Sequence, residues 1–269
     1  MTNTWPVAEL RAALGALVAG LSVEVVPEID STNTELMRRA RSGEPAPVLL
    51  VAERQTAGRG RLGRPWQSAS DAEPGTLDES LTFSLGLPLA PADWSGLSLA
   101  VGASVADSLD PNGTQLRLKW PNDLWTTQDR KLGGILIETA MPQGGGAQRF
   151  VVIGIGINIG PRPAEGLSTA PAWLREFRGD ATAPQALAAI AAPLVRSVLR
   201  FAERGFGPFA EDFASRDALR GRAVNLSDGT VGACEGVGPG GELLVRTGAG
   251  LQSITSSEVS VRPASGAQT

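Results

Sequence analysis

The sequence predicts an α+β fold: a larger segment of mixed helices and strands over residues 1–215, then a small all-β module over residues 216–269. Stretches with apolar residues at helical spacing alternate with short apolar runs through the first part. After Arg216 the character changes, and short apolar runs alternate with turns such as Asp228-Gly229 and Pro239-Gly240-Gly241. A length of 269 residues holds one large domain plus a small appendage.

The elements follow in order. Val7, Leu10, Leu14, Leu17 and Val18 recur at helical spacing, which predicts a helix over 6–19 with Pro6 in its first turn and Gly20 at its stop. Ser22–Val26 is a short strand. Thr32-x-x-Glu35 has the capping-box pattern, so a helix starts near Ser31 and runs through Leu36 and Ala40. Pro47–Glu53 reads as a buried strand, and the polar stretch 68–79 as a loop. Leu81, Phe83, Leu85 and Leu87 alternate along a half-buried strand. Ala92–Leu109 is a helix with Trp94, Leu97, Val101, Val105 and Leu109 on related faces. Gln115–Trp120, Gly134–Glu138 and Arg149–Ile157 are strands, the last two joined by a glycine-rich hairpin loop over 141–147. Pro184–Arg204 is helical in composition, and Pro193 either kinks one helix or separates two. Phe206–Ser215 is a last short helix. Ala223–Leu226, Val231–Cys234, Glu242–Val245 and Val259–Val261 then suit a small SH3-like barrel.

Composition narrows the chemistry. The chain has no histidine, no tyrosine and one cysteine, Cys234. That removes Ser-His-Asp and Cys-His triads, histidine–metal sites and cysteine zinc clusters. The remaining inventory suits chemistry on an already reactive anion, helped by charge neutralisation and positioning. One cysteine permits no internal disulfide, which fits a reducing compartment, and a cytoplasmic location is expected. Ala12–Leu21 lacks a basic region ahead of it, so it is not read as a signal peptide. No run is read as long enough to span a membrane. Hydrophobic and charged contents of 42% and 19% are those of a soluble globular protein. A net charge of −4 and a pI of about 5.1 argue against broad nucleic-acid binding.

Gln55–Trp66, QTAGRGRLGRPW, interleaves Gly58, Gly60 and Gly63 with Arg59, Arg61 and Arg64. Glycine lets a ligand approach the backbone, and arginine carries a permanent planar cation. The loop can fold around a small anion. Arg117-Leu-Lys-Trp-Pro-Asn-Asp123 puts Leu116, Leu118 and Trp120 on one strand face and Arg117 and Lys119 on the other. Pro121 ends that strand. Asn122 and Asp123 then sit at its C-terminal end, as an ordinary turn or as a seat for hydrated Mg²⁺. Arg130–Glu138, RKLGGILIE, sets Lys131 ahead of Gly133 and Gly134, beside which a ligand could lie. Ile153–Asn158, GIGIN, ends a strand on Asn158, its glycines leaving room on one face. Asp30-Ser-Thr-Asn33 reads as a helix cap, or as polar groups at a helix N-terminus facing a ligand ring.

Taken together and in order, Ser31-Thr-Asn33, QTAGRGRLGRPW, KWPND, RKLGGIL and GIGIN resemble the biotin–protein ligases. The weak strand pattern after Arg216 also fits that family's C-terminal β module. The resemblance implies a class II synthetase-like catalytic domain with a mixed sheet, followed by an SH3-like barrel. It implies two steps. Biotin and ATP form biotinyl-5′-AMP and pyrophosphate with Mg²⁺, and the acyl group passes to a lysine of a biotin carboxyl carrier domain of acetyl-CoA carboxylase or a related carboxylase. By motif match, Ser31, Thr32, Asn33, Gln55, Gly58, Gly60, Gly133 and Gly134 would line the biotin pocket, with Arg59–Arg61 folding over it. Lys131 and Arg61 would be catalytic, Lys131 bridging the biotin carboxylate and the α-phosphate. Arg64, Trp66, Lys119, Asn122, Asp123 and Asn158 would serve ATP, with Trp66 near the adenine and Asp123 as the Mg²⁺ ligand.

About 30 residues precede the Ser-Thr-Asn motif, too few for the DNA-binding winged helix of the family's longer members, so no specific DNA partner is expected. A monomer and a homodimer both fit. A lipoate–protein ligase would share the fold, yet an Arg-Arg and triple-glycine segment would be expected where GRGRLGR and KWPND stand. A nucleic-acid-binding module using the arginine loop is opposed by the acidic pI and the lack of neighbouring aromatic platforms.

Overall fold

The computed structural model describes residues 4–43, 45–66, 80–141, 148–255 and 261–263. The expected polar loop 68–79 and nearly all of the glycine-rich linker 141–147 lie outside them.

Seven strands form the main sheet: β1 (Ser22–Ile29), β2 (Val48–Gln55), β3 (Ser80–Leu89), β4 (Leu116–Lys119), β5 (Asp123–Thr126), β6 (Lys131–Ala140) and β7 (Arg149–Asn158). Their order is β1-β2-β3-β7-β6-β5-β4. β1 and β2 are parallel, joined by the crossover helix α2 (Thr32–Ser42), and the other neighbours are antiparallel. This is the mixed sheet of an α+β domain.

Strand alternation assigns the two faces. Leu81, Phe83, Leu85 and Leu87 of β3 join Ile153, Ile155 and Ile157 of β7 in one large core. That face is covered by α1 (Val7–Gly15), α3 (Leu97–Leu109) and α4 (Ala183–Arg204). On the other face Phe150 and Val152 meet Leu36, Met37 and Ala40 of α2. β3 and β7 are buried on both faces; β3 was expected to be half-buried, but its alternate residues Ser80, Thr82, Ser84 and Gly86 are buried too. The second face carries the candidate site.

Several boundaries differ from the expected ones for local reasons. α1 stops at Gly15; Leu17 and Val18 still pack on the core from a following turn. α2 is capped by Ser31 Oγ, so Glu35 falls one position late for a box with Thr32. Glu35 instead pairs with Arg38 and Arg39. α3 begins at Leu97, not Ala92, because Asp93 Oδ1 turns the chain by accepting from Ser95 N and Gly96 takes φ +79°. α4 is a single helix across Pro193, started by a reciprocal Thr182–Gln185 box. At 22 residues it is long and apolar enough to cross a membrane, against the sequence expectation. Its apolar face, with Leu187, Ile190, Leu194, Val198 and Phe201, is spent in the core. β5 was not expected: the segment read as a turn after Pro121 is the start of a strand.

α5 (Ala210–Arg216) leads into a five-stranded antiparallel sheet, consistent with an SH3-like module. It comprises β8 (Ala223–Leu226), β9 (Val231–Val237), β10 (Leu243–Thr247), β11 (Gly250–Ile254) and β12 (Val261–Pro263). The order is β11-β10-β9-β8-β12. β11 escaped the sequence reading because Gly250–Ile254 is largely exposed and carries little apolar alternation. The expected strand at Val259–Val261 falls mostly outside the described residues. This module grips the main sheet through Ala218 N donating to Leu118 O at 2.9 Å and the buried Trp120 Nε1 donating to Gly241 O at 3.0 Å.

Candidate active site

The site lies where the second face of the sheet runs out of side chains. A Cβ on Gly154 would overlap Asn33 Oδ1, and one on Gly156 would overlap the Trp66 ring. The GIGIN glycines therefore make room for an amide from the first turn of α2 and for an indole from the arginine loop. Gly133 lies equally tight against the Gly156 carbonyl.

One end of this trough is neutral and polar. Ser31, Thr32 and Asn33 are buried at the start of α2, although Ser and Thr are usually exposed. Gln55, the last residue of β2, accepts at Oε1 from Thr32 N (2.8 Å) and Thr32 Oγ1 (3.1 Å). Asn33 donates from Nδ2 to Leu136 O (3.2 Å) and Glu138 Oε2 (3.0 Å). Ser84 of β3 is fully buried and stands 2.7 Å from Thr32 Oγ1 and 2.6 Å from Asn33 Oδ1. Ser84 and Glu138 were missed by the sequence reading. The sequence carries no separate signal for Ser84, which repeats the hydroxyls of Ser80 and Thr82 at alternate positions of the same strand.

The other end is charged and centres on Asp123. Lys131 Nζ donates to Asp123 Oδ1 at 2.6 Å, and Lys119 Nζ lies 3.8 Å from Oδ2. A β-bulge makes this possible. Leu124 pairs with Gly133 but Trp125 pairs with Lys131, leaving Leu132 as an extra residue. Lys131 is thereby turned onto the face of Gly134, where a Cβ would sit 3.5 Å from Lys131 Nζ and 3.6 Å from Asp123 Oδ1. Arg61 joins from the loop. Burial lowers its pKa, the Asp123 charge opposes that, and Arg64 adds to it.

The loop is shaped by its own backbone: Gly60 N donates to Arg64 O at 2.7 Å and Trp66 N to Gly58 O at 2.8 Å. Gly58 cannot carry a side chain, because a Cβ would overlap Trp66 O. Trp66 lies across Gly156 with the Arg162 guanidinium 5.6 Å from its ring centroid. Its Nε1 is buried without a hydrogen-bond partner among the described residues.

Asn122 and Asn158, expected at ATP, each spend the amide nitrogen on backbone carbonyls, while Asn158 Oδ1 is buried with no partner among the described residues. Asn122 donates from Nδ2 to Ile135 O at 2.7 Å, and Asn158 from Nδ2 to Ala172 O at 2.9 Å and Lys131 O at 3.3 Å. Both strap the strands behind the charged end. Asp123, expected to bind Mg²⁺, is here the partner of two lysines. Both its oxygens face ammonium groups, and no cluster of three Asp, Glu, His or Cys residues that could hold a metal occurs among the described residues. Mg²⁺ keeps several waters and takes one or two carboxylates together with substrate phosphates, so Asp123 could serve it only beside bound ATP.

Lys119 is 8% exposed, 5.1 Å from the Trp125 ring centroid. Desolvation lowers its pKa, Asp123 pulls it back up, and Lys131, Arg262 and Arg64 push it down. An amine whose folded pKa is lowered binds fewer protons in the native state between its folded and unfolded values. Stability therefore rises as pH climbs through the folded value toward the ordinary 10.5. We expect Lys119→Met to melt at or above the wild-type temperature at neutral pH, with the gap closing as pH rises toward 10.5. Differential scanning calorimetry across that range checks it; a variant that melts well below wild type at pH 7 contradicts the account.

Comparison with known proteins identifies relatives of the chain. The model of the Biotin/lipoate A/B protein ligase family matches residues 25–158. The bifunctional ligase/repressor BirA of Escherichia coli (strain K12) is 36% identical over 263 residues, covering 94% of this chain and 78% of that protein. The biotin–[acetyl-CoA-carboxylase] ligase of Paracoccus denitrificans is 31% identical over 244 residues, covering 86% of this chain and 96% of that protein. A solved structure, the biotin protein ligase from Aquifex aeolicus in complex with biotin and ATP, aligns with a TM-score of 0.72 at 29% identity, covering 90% of this chain and 99% of that one. With a polar trough at the start of α2, an arginine–glycine loop beside it and lysines gathered on Asp123, the chain belongs to the biotin/lipoate A/B protein ligase family.

Proposed function

We infer that this protein is an ATP-dependent biotin–protein ligase, which activates biotin as biotinyl-5′-AMP and transfers it to a lysine of a biotin carboxyl carrier domain. The observation that carries the reading is a neutral hydrogen-bonding trough continuous with a cluster of cations. Biotin has that polarity, with a neutral ureido ring at one end and a carboxylate at the other.

The first step joins two anions. The biotin carboxylate is ionised at neutral pH and needs no base. Its oxygen attacks the α-phosphorus of ATP, the bond to the β-phosphate oxygen breaks, and pyrophosphate leaves. The barrier is charge repulsion and orientation, which fixed cations lower. In this reading Lys131 bridges the carboxylate and the α-phosphate, and Arg61, Lys119 and Arg64 serve the phosphate side. Asp123 holds Lys131 and Lys119 in position until phosphate replaces it. Mg²⁺ enters as part of the ATP substrate. Trp66, packed against Gly156 and with no partner for Nε1 among the described residues, suits the adenine. Thr32, Asn33 and Gln55, with Ser31 capping the helix, suit the ureido ring. In the second step the lysine ε-amine attacks the mixed anhydride carbonyl and AMP leaves. The carrier domain of an acetyl-CoA carboxylase or related carboxylase is the proposed partner.

Mass spectrometry of such a carrier domain incubated with enzyme, ATP and either biotin or lipoate tests the reading. A single biotinyl addition is expected; lipoyl transfer in its place overturns it.

Arg61 separates formation of the intermediate from its retention. A loop closed over the mixed anhydride keeps water and stray amines away. We expect Arg61→Gly to label bystander proteins such as serum albumin more than wild type does, while still releasing pyrophosphate. Slow pyrophosphate release without bystander labelling would leave Arg61 only its charge role.

A further inference from the structure

We propose that Glu138 is a positioning residue that latches the arginine–glycine loop to the floor of the biotin trough through Arg59. The proposal rests on the biotin-ligase reading and deepens it. A carboxylate beside a site for two anions is, by charge alone, a liability. The contacts of Glu138 account for it. Oε1 accepts from Arg59 Nη2 at 2.9 Å, and Oε2 accepts from Asn33 Nδ2 at 3.0 Å. One carboxylate thus joins the arginine–glycine loop to the first turn of α2.

Each arm is anchored further. Asn33 is 3% exposed, stands 2.6 Å from Ser84 Oγ and fills the space left by Gly154, so its orientation is fixed. Arg59 also donates to Thr34 Oγ1 at 3.3 Å, on the same helix turn. Glu138 itself sits on β6, held in register with Val152 of β7. The rigid parts are α2, β6 and β7; the part to be positioned is the loop.

This divides the two arginines of the GRGR motif. Arg61 lies within the field of the Asp123 carboxylate, at the end proposed for phosphate. The charge of Arg59 is matched by Glu138, so its task is to fix where the loop lies over the trough rather than to neutralise substrate. The side chains of Arg59 and Glu138 are 47% and 21% exposed. A pair of that exposure shifts an equilibrium only about fivefold and is weakened by salt. Its loss should therefore show in substrate retention more than in the chemical step.

Glu138→Gln, Arg59→Gln and the double variant test it, with thermal melts to verify folding. We expect each single variant to raise KM for biotin and the release rate of biotinyl-5′-AMP about fivefold, with kcat for adenylation changed less than twofold. The double variant should be no worse than either single one, because both remove the same contact. Raising salt should reproduce the effect in wild type and add little in Glu138→Gln. Wild-type KM and adenylate release in Glu138→Gln, or multiplying effects in the double variant, overturn the proposal. Should Glu138→Gln fail to fold, Arg59→Gln decides alone, since Arg59 lies on the surface loop. Biotin-dependent pyrophosphate exchange by wild type is measured first. Its absence refutes the ligase reading and the latch with it; its presence with unshifted variants refutes the latch alone.

Discussion

Lys131→Ala is expected to keep the fold and lose adenylation by about 10²–10³-fold, the cost of removing one aligned cation from a developing charge, about 3–4 kcal/mol. Lys131 Nζ sits at the surface end of the trough, 2.6 Å from Asp123 and beside the glycine-lined floor. Its side chain is one-third exposed, so truncation leaves no large cavity. Asp123 keeps Lys119 and the field of Arg61, which limits the structural penalty. Pyrophosphate release from purified variant and wild type, with melting temperatures alongside, is the measurement. Near wild-type release would remove Lys131 from the chemistry and leave it as a partner for Asp123.

Gly154→Ala is expected to abolish biotin binding, by more than 100-fold, through one methyl group far from the charged end. The new Cβ overlaps Asn33 Oδ1. β7 is hydrogen-bonded to β3 on one side and β6 on the other, so the backbone has nowhere to move. Asn33 must turn away, losing its contacts with Ser84, Leu136 O and Glu138. Overpacking a core typically costs about 1–3 kcal/mol, and buried polar groups left unmatched cost a similar amount. A fall in Tm of about 5 °C or more is expected for a chain this size. Isothermal titration with biotin checks the binding loss, and Gly154→Ala with wild-type affinity would mean that Asn33 does not shape the pocket.

The sequence by itself determined the architecture and the chemical inventory. Period-two and helical patterns located β1 to β3, β6, β7 and the helices, because those elements bury one face or both against a large core and must be patterned accordingly. The missing histidines restricted the chemistry to charge and position, and five ordered motifs carried the family. Where a local signal competed with tertiary context, the structure decided. β5 looked like a turn because Pro-Asn-Asp favours turns, but pairing to β6 and the Asn122–Ile135 clasp extended it into a strand. Lys131 shares a face with Asp123 only because Leu132 is extruded as a bulge, and a bulge leaves no mark in side-chain type. Ser84 and Glu138 come to the site from strands 50 and more residues away from Thr32 and Asn33, Glu138 through the half of the sheet in which β7 to β4 run against chain order. Asp123 reads as a turn residue or a metal ligand in isolation; only the sheet order brings two ammonium groups to it from neighbouring strands. Residue types fix what a site can do, while register and sheet order, which depend on contacts far apart in the chain, fix which residues meet to do it.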